Sequence, residues 1–312
     1  MTVGKLQGRT AQAAFVEAQE RLLAHYGVEA TSRFVTVSDP PMRVHLLEAG
    51  GGDEPVVMLH GGDGQGADWV PLIGALRQDA HIFAVDRPAF GLTDRFDYRK
   101  VDLRSHAAGF VRSLLDALGL ESATLVAGSM GGFFALAAAL DHPERVRRLA
   151  FIGMPLGVST EAPLPLRIMC GVPGLARKWM RSSSTPEGMR KAFRTLFQID
   201  PDTVPQPYMD LKLAGRRIPG VQETWAVMLR RVAGLRGMRP EVHLGSELPR
   251  LAQPTLVVWG ERDMASVATG REATARMPRG TFTELAGVGH FPYLEAPEQT
   301  ARLVRELLAA QP

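Results

Sequence analysis

Six short runs of largely apolar residues punctuate the chain: 56–60 (VVMLH), 81–86 (HIFAVD), 123–128 (ATLVAG), 148–153 (RLAFIG), 255–260 (TLVVWG) and 281–286 (TFTELA). A strand with one wet face alternates apolar and polar residues. A strand apolar nearly throughout is covered on both faces, as in a parallel sheet flanked by helices. Two earlier segments, 33–38 and 42–47, also read as strands around an Asp39-Pro40-Pro41 turn. Helical patterns fill the gaps. Residues 101–118 carry apolar side chains at 103, 107, 110, 111, 114, 115 and 118, residues 130–140 are apolar nearly all round, and 266–277 and 297–309 are amphipathic. Strands alternating with helices predict an α/β fold with a doubly wound, mostly parallel sheet.

The alternation stops between residues 154 and 250. That stretch holds 15 Lys and Arg against 8 Asp and Glu, a net of +7, and 7 of the 13 Met. Since the whole chain carries +3, the remainder carries −4. The stretch reads as a helical insertion after the sixth strand, its arginines mostly a solvated face. At the other end, Ala14, Phe15, Ala18, Leu22, Leu23 and Tyr26 recur at helical spacing before Gly27, a plausible stop. The expected organisation is an N-terminal helical extension over 1–32, a core of 33–153 plus 251–312, and a helical cap over 154–250.

Composition narrows the function classes. Hydrophobic residues make up 45% of the chain, enough for a core and too many for a disordered tail. One cysteine, Cys170, excludes a disulfide framework and a cysteine metal cage, and it reads as a small packing residue. The histidines lack metal-ligand spacing, so neither a metal nor another cofactor is expected. A net charge of +3 on 312 residues is weak support for nucleic-acid binding, and no recognition motif accompanies it. No run approaches the roughly 20 apolar residues of a membrane span. No apolar stretch follows the first lysine as in a secretory signal, so a cytoplasmic location is expected.

Four segments carry candidate chemistry. Residues 127–132 (AGSMGG) follow a strand and open a helix, with small residues around Ser129. So tight a turn pushes the serine out at the C-terminal edge of the sheet, where ligands bind in open α/β folds. The alternative is a glycine-rich turn with an idle serine. Residues 60–66 (HGGDGQG) follow another strand, and their backbone N–H groups can approach a substrate closely. No Lys-Ser or Lys-Thr follows them as in a phosphate-binding loop. His60 reads as a buried buttress of that loop. Asp263 lies just past a strand end, with Glu261 as the competing acid. His290 follows the last strand on a loop pinned by Gly287, Gly289 and Pro292, placed either as a general base or as a packing residue.

Together these segments resemble the α/β-hydrolase superfamily from about residue 33 to the end. The order Ser129, Asp263, His290 matches that fold's Ser…Asp…His order. Residues 86–94 (DRPAFGLTD) and 290–298 (HFPYLEAPE) resemble two further family segments, in which Asp86 and Asp94 fix a turn. The resemblance implies an oxyanion hole made by the N–H groups of Gly62 and Met130, and a cap where the insertion falls. The loop spacing, His-Gly-Gly and then Trp69, is similar to hydrolases that cut carbon–carbon bonds in ring-cleavage products. Those usually carry Asn and Trp where this chain has Gly128 and Phe291.

The expected activity is ester hydrolysis of a small to medium, largely apolar substrate through an acyl enzyme on Ser129, with His290 as base and Asp263 orienting it. A serine in place of an aspartate argues against dehalogenase and epoxide hydrolase chemistry. Rival readings are a carbon–carbon bond hydrolase, thioesterase or acyltransferase on the same site, and a non-catalytic ligand receptor of the same fold. The cap's Met residues suggest an adaptable apolar lining. Its aromatics Trp179, Phe193, Phe197, Tyr208 and Trp225 either face the pocket or pack the cap. Residues 182–187 (SSSTPE) read as a helix start with proline at its first position. The expected partner is a small-molecule substrate, with no nucleic acid and no stable membrane insertion; oligomeric state leaves no mark on the sequence.

Overall fold

A computed structural model describes residues 3–159, 162 and 164–310; residues 1, 2, 160, 161, 163, 311 and 312 of the segments expected above lie outside them. The strands are β1 (Ala30–Ser38), β2 (Pro41–Ala49), β3 (Pro55–Leu59), β4 (His81–Val85), β5 (Ala123–Ala127), β6 (Val146–Ile152), β7 (Ala233–Gly234), β8 (Gly237–Met238), β9 (Thr255–Gly260) and β10 (Gly280–Leu285). Eight form one sheet in the order β1-β2-β4-β3-β5-β6-β9-β10, while β7 and β8 make a separate two-residue ladder. β1 pairs antiparallel with β2 and β2 with β4; all later neighbours are parallel.

Burial explains the runs. β3, β5 and β9 are buried at every position, whereas the edge strands β1 and β10 keep exposed residues. The first strand begins at Ala30, three residues before the expected Arg33, because pairing with β2 extends to Ala49.

Helices α1 (Val3–His25), α2 (Val70–Leu76), α3 (Leu103–Leu118) and α4 (Met130–Asp141) precede β6. α5 (Leu164–Gly171), α6 (Leu175–Ser182), α7 (Pro186–Thr195), α8 (Gln206–Arg217) and α9 (Val221–Val232) lie between β6 and β9. α10 (Val267–Ala275), α11 (Pro292–Glu295) and α12 (Pro297–Ala309) complete the chain. Among the described residues, no helix is long and apolar enough to cross a membrane. α1 ends where Gly27 takes φ 59°, which frees Val28 to donate back to the Leu23 carbonyl at 2.9 Å. It packs chiefly on α8 through Phe15, Ala18 and Leu22, so this extension rests on the insertion more than on the sheet. α7 starts as its sequence suggests: Thr185 caps Gly188 N–H and Pro186 takes the first position.

The tightest point is the turn from β5 into α4. Ser129 adopts φ 49° and ψ −116°, a region that L side chains rarely occupy. α4 then passes so close to β3 that a Cβ on Gly131 would sit 2.0 Å from the Leu59 carbonyl oxygen. On Gly132 it would meet Pro155 at 2.6 Å. The small residues around Ser129 are therefore a packing requirement. Ser129→Gly relieves the torsional strain and Ser129→Ala keeps it. The glycine variant is expected to be more stable than the alanine variant by about 1 kcal/mol. Gly131→Ala should cost about 3 kcal/mol or more, because backbone must move. Denaturant unfolding checks both, and equal stability of the two Ser129 variants contradicts the strain.

Elsewhere α3 buries His106, whose ring stacks on Phe96 at 4.2 Å and 8° and whose Nε2 has no partner among the described residues. Burial pulls its pKa down to about 4. An unfolded histidine takes its proton near 6.5. Above that pH both states are neutral. As pH falls from 6.5 to about 4, the unfolded chain binds a proton that the fold refuses, and up to about 3 kcal/mol of stability is lost. His106→Phe should flatten part of the fall in unfolding free energy between pH 7 and pH 4.5. An unchanged slope contradicts this.

Candidate active site

Ser129, His290 and Asp263 come from the ends of three parallel strands. Ser129 stands at the turn after β5, Asp263 three residues past β9, and His290 on the loop after β10. His290 Nδ1 lies 2.6 Å from Asp263 Oδ1, with both side chains almost fully buried. The carboxylate is fixed in turn: Oδ1 accepts from Met264 N–H at 2.5 Å and Oδ2 from Met154 N–H at 2.9 Å. An imidazole held at Nδ1 by a carboxylate presents Nε2 to whatever lies opposite. Glu261, the competing acid, is exposed and accepts instead from Gly287 N–H at 2.7 Å. The His290 loop is pinned by Glu295, which accepts from Gly289 N–H at 2.9 Å. Its ring lies parallel to Phe197 at 5.9 Å.

Ser129 and His290 line one cavity with Gly61, Gly62 and Met130. The N–H groups of Gly62 and Met130 make no hydrogen bond among the described residues. Their carbonyl side explains the orientation. Arg87, fully buried, donates through Nε to His60 O at 2.8 Å and through Nη2 to Gly61 O at 3.1 Å and Gly62 O at 2.7 Å. With the Gly61 carbonyl drawn to the guanidinium, the Gly62 N–H of the same peptide is left on the other side. Burial lowers the Arg87 pKa to about 10, so it remains a cation at neutral pH. His60 is the buttress expected of it: Nε2 accepts from Arg87 N–H at 3.0 Å, and burial holds its pKa well below the usual histidine value. Asp86 and Asp94 fix the neighbouring turn, Asp86 by accepting from Gly66 N–H at 2.6 Å and Leu92 N–H at 2.8 Å, Asp94 from Arg43 N–H at 2.9 Å.

The segment between β6 and β9 roofs the cavity with Met154, Met169, Trp179, Phe197 and Trp225. Phe193 and Tyr208 are buried in packing instead. Trp225 lies over the 60–66 loop, where a Cβ on Gly62 would meet its ring at 3.2 Å. Cys170 is buried, and burial pushes its thiol up to about 12, so it is inert. Among the described residues no group of three or more His, Cys, Asp or Glu side chains is arranged to hold a metal ion.

Two basic residues of the insertion depart from the expected solvated face. On α8, Lys212 Nζ donates to Asp68 Oδ2 at 2.8 Å, and Arg216 Nε donates to Asp63 Oδ2; all four side chains are buried. Burial pushes the Asp63 carboxyl up, and the Arg216 and Lys212 charges more than reverse it, so its pKa is lowered. At Asp68 burial prevails over Lys212 and the pKa is raised. Sequence reading missed these four residues and Arg87. The available signal was two carboxylates in a glycine-rich loop and two cations one helical turn apart.

Residues 56–303 match the model of the alpha/beta hydrolase family. A 2-hydroxymuconate semialdehyde hydrolase from Pseudomonas sp. (strain CF600) is 31% identical over 281 residues, covering 86% of this chain and 91% of that protein. Carboxylesterase CesB from Bacillus subtilis superposes with a TM-score of 0.77 at 22% identity, covering 96% of this chain and 99% of that one. A meta-cleavage product hydrolase from Pseudomonas fluorescens IP01 superposes with a TM-score of 0.69 at 23% identity, covering 90% and 97%. With four-fifths of its length inside the family model and the sheet order of a mostly parallel α/β fold, the chain belongs to the alpha/beta hydrolase family and is an enzyme of the hydrolase class.

Proposed function

We propose that the protein hydrolyses carboxylic esters of small to medium, largely apolar acids through an acyl enzyme on Ser129. The observation that carries this reading is His290, paired with the buried Asp263 side chain at 2.6 Å, lining one cavity with a serine on a strained turn and two backbone N–H groups that have no partner among the described residues. His290 Nε2 takes the Ser129 proton as Oγ attacks the ester carbonyl carbon. The Gly62 and Met130 N–H groups receive the oxyanion, each such donor being worth about 2.7–4 kcal/mol in the transition state. Collapse expels the alcohol, which leaves with the proton from His290. A water then attacks the acyl-Ser129 carbonyl, its proton going to His290, and the acid leaves as Ser129 recovers its hydrogen. Asp263 holds the imidazole tautomer and stabilises its charged form. The residues between β6 and β9, as a cap, supply the apolar acyl wall.

Carbon–carbon cleavage on the same residues is the second reading. It is favoured by the 31% identity to a hydrolase of 2-hydroxymuconate semialdehyde. Gly128 and Phe291, where such hydrolases usually carry Asn and Trp, favour the ester.

Both readings are tested with p-nitrophenyl esters of increasing chain length beside a 2-hydroxy-6-oxo-dienoate. The wild type should turn over the esters with an optimum at short to medium chains. Ser129→Ala and His290→Ala should lower kcat/KM by about 10³-fold or more, and Asp263→Asn by about 10²-fold or more. Faster turnover of the dienoate transfers the site to carbon–carbon cleavage. Equal rates in wild type and Ser129→Ala remove Ser129 from the mechanism.

A further inference from the structure

The cavity wall carries two carboxylates, Asp63 and Asp68, and one cation, Lys212. Arg216 stands behind Asp63 and neutralises it. Lys212 is the one cation on the wall that a ligand's negative charge can reach among the described residues, and it is already engaged by Asp68 at 2.8 Å. Asp68 is not free to swing away. Gln65 donates to Asp68 Oδ1 through its side chain and to Oδ2 through its backbone N–H at 3.4 Å. One residue further, the wall closes on the partner helix: a Cβ on Gly215 of α8 would lie 2.5 Å from Gln65 Oε1. The pair is therefore locked on both sides, with the carboxylate tied to the oxyanion loop and the ammonium carried on α8.

A carboxylate entering such a cavity loses its water and finds Lys212 shared with a fixed negative charge a few ångströms away. An uncharged group loses little and meets apolar side chains. We propose that Asp68 is a specificity-determining residue: by holding Lys212 in a buried pair it keeps the cavity neutral, so the site takes uncharged acyl groups and rejects those carrying a carboxylate. The inference rests on this cavity being the substrate site of the proposed function, and it narrows the substrate class. It also separates this chain from the 2-hydroxymuconate semialdehyde hydrolase it resembles, whose named substrate carries the charge that Asp68 disfavours.

Binding tests this without turnover. In Ser129→Ala protein, phenylacetamide and phenylacetate, alike in shape and different in charge, are titrated against the fluorescence of Trp179 and Trp225, which line the cavity. The amide should bind at least about tenfold more tightly than the acid. Adding Asp68→Asn, which keeps the shape and frees Lys212, should move that ratio towards the acid by at least about tenfold, and adding Lys212→Met as well should move it back. The proposal is overturned if the parent protein binds the acid as well as the amide or binds neither, or if folded Asp68→Asn protein keeps the parent ratio. Ester turnover is measured separately. Its absence beside an intact preference for the amide removes the ester reading and leaves the charge assignment standing.

Discussion

A single buried guanidinium orders the edge of the sheet where the candidate site lies. Arg87 leaves the end of β4 and reaches across to β3's loop, where it binds the carbonyls of His60, Gly61 and Gly62. Its flat face lies 5.1 Å from the rings of both Phe90 and Phe134, so the cation is sandwiched between the turn after β4 and helix α4. Burying a charge is costly unless its donors are used, and here Nε and Nη2 are spent on backbone that has no ladder to join, while Nη1 has no partner among the described residues. The consequence is that the Gly62 N–H, opposite the Gly61 carbonyl in the same peptide, faces away from Arg87. The proposed oxyanion hole is thus a by-product of how Arg87 is satisfied.

The second constraint is the close approach of α4 to β3 at Gly131. It forces Ser129 into positive φ and lifts the serine off the sheet. Loop and serine are then joined from above by α8. Its ion pairs from Lys212 and Arg216 end on Asp68 and Asp63, residues of the same loop that Arg87 holds from below. A buried ion pair is weak evidence for stability, because desolvation offsets most of the attraction. Its effect here is on position and charge: the insertion is registered against the loop, and the cavity wall is left without net charge.

Much of this was legible in the sequence, and the parts that were not have a common cause. The sheet was readable because runs such as 56–60 and 255–260 are apolar on both faces, a pattern that only a covered strand needs. The candidate site was readable because Gly131 and Gly132 are imposed by the Leu59 carbonyl and by Pro155, contacts that leave no room for a Cβ. Glu261 and Asp263 could not be told apart, since two residues on one loop differ only in which way the loop turns. The insertion was opaque for a related reason. Fifteen cations in a stretch give no sign that Lys212 and Arg216 point inward, since their partners lie about 150 residues earlier. Likewise the aromatics of that stretch divide between roof and packing by helix orientation: Trp225 and Phe197 face the cavity, Phe193 and Tyr208 do not.

In the proposed chemistry Ser129 is a nucleophile activated by His290, and the Gly62 and Met130 amides receive the oxyanion. A fluorophosphonate reacts covalently with such a serine and needs no knowledge of the natural substrate. Intact mass after labelling, followed by peptide mapping, is the direct test. One adduct per chain, on Ser129, lost in His290→Ala protein and retained in Cys170→Ser protein, is the predicted result. An unlabelled wild type, or an adduct on another residue, contradicts the account.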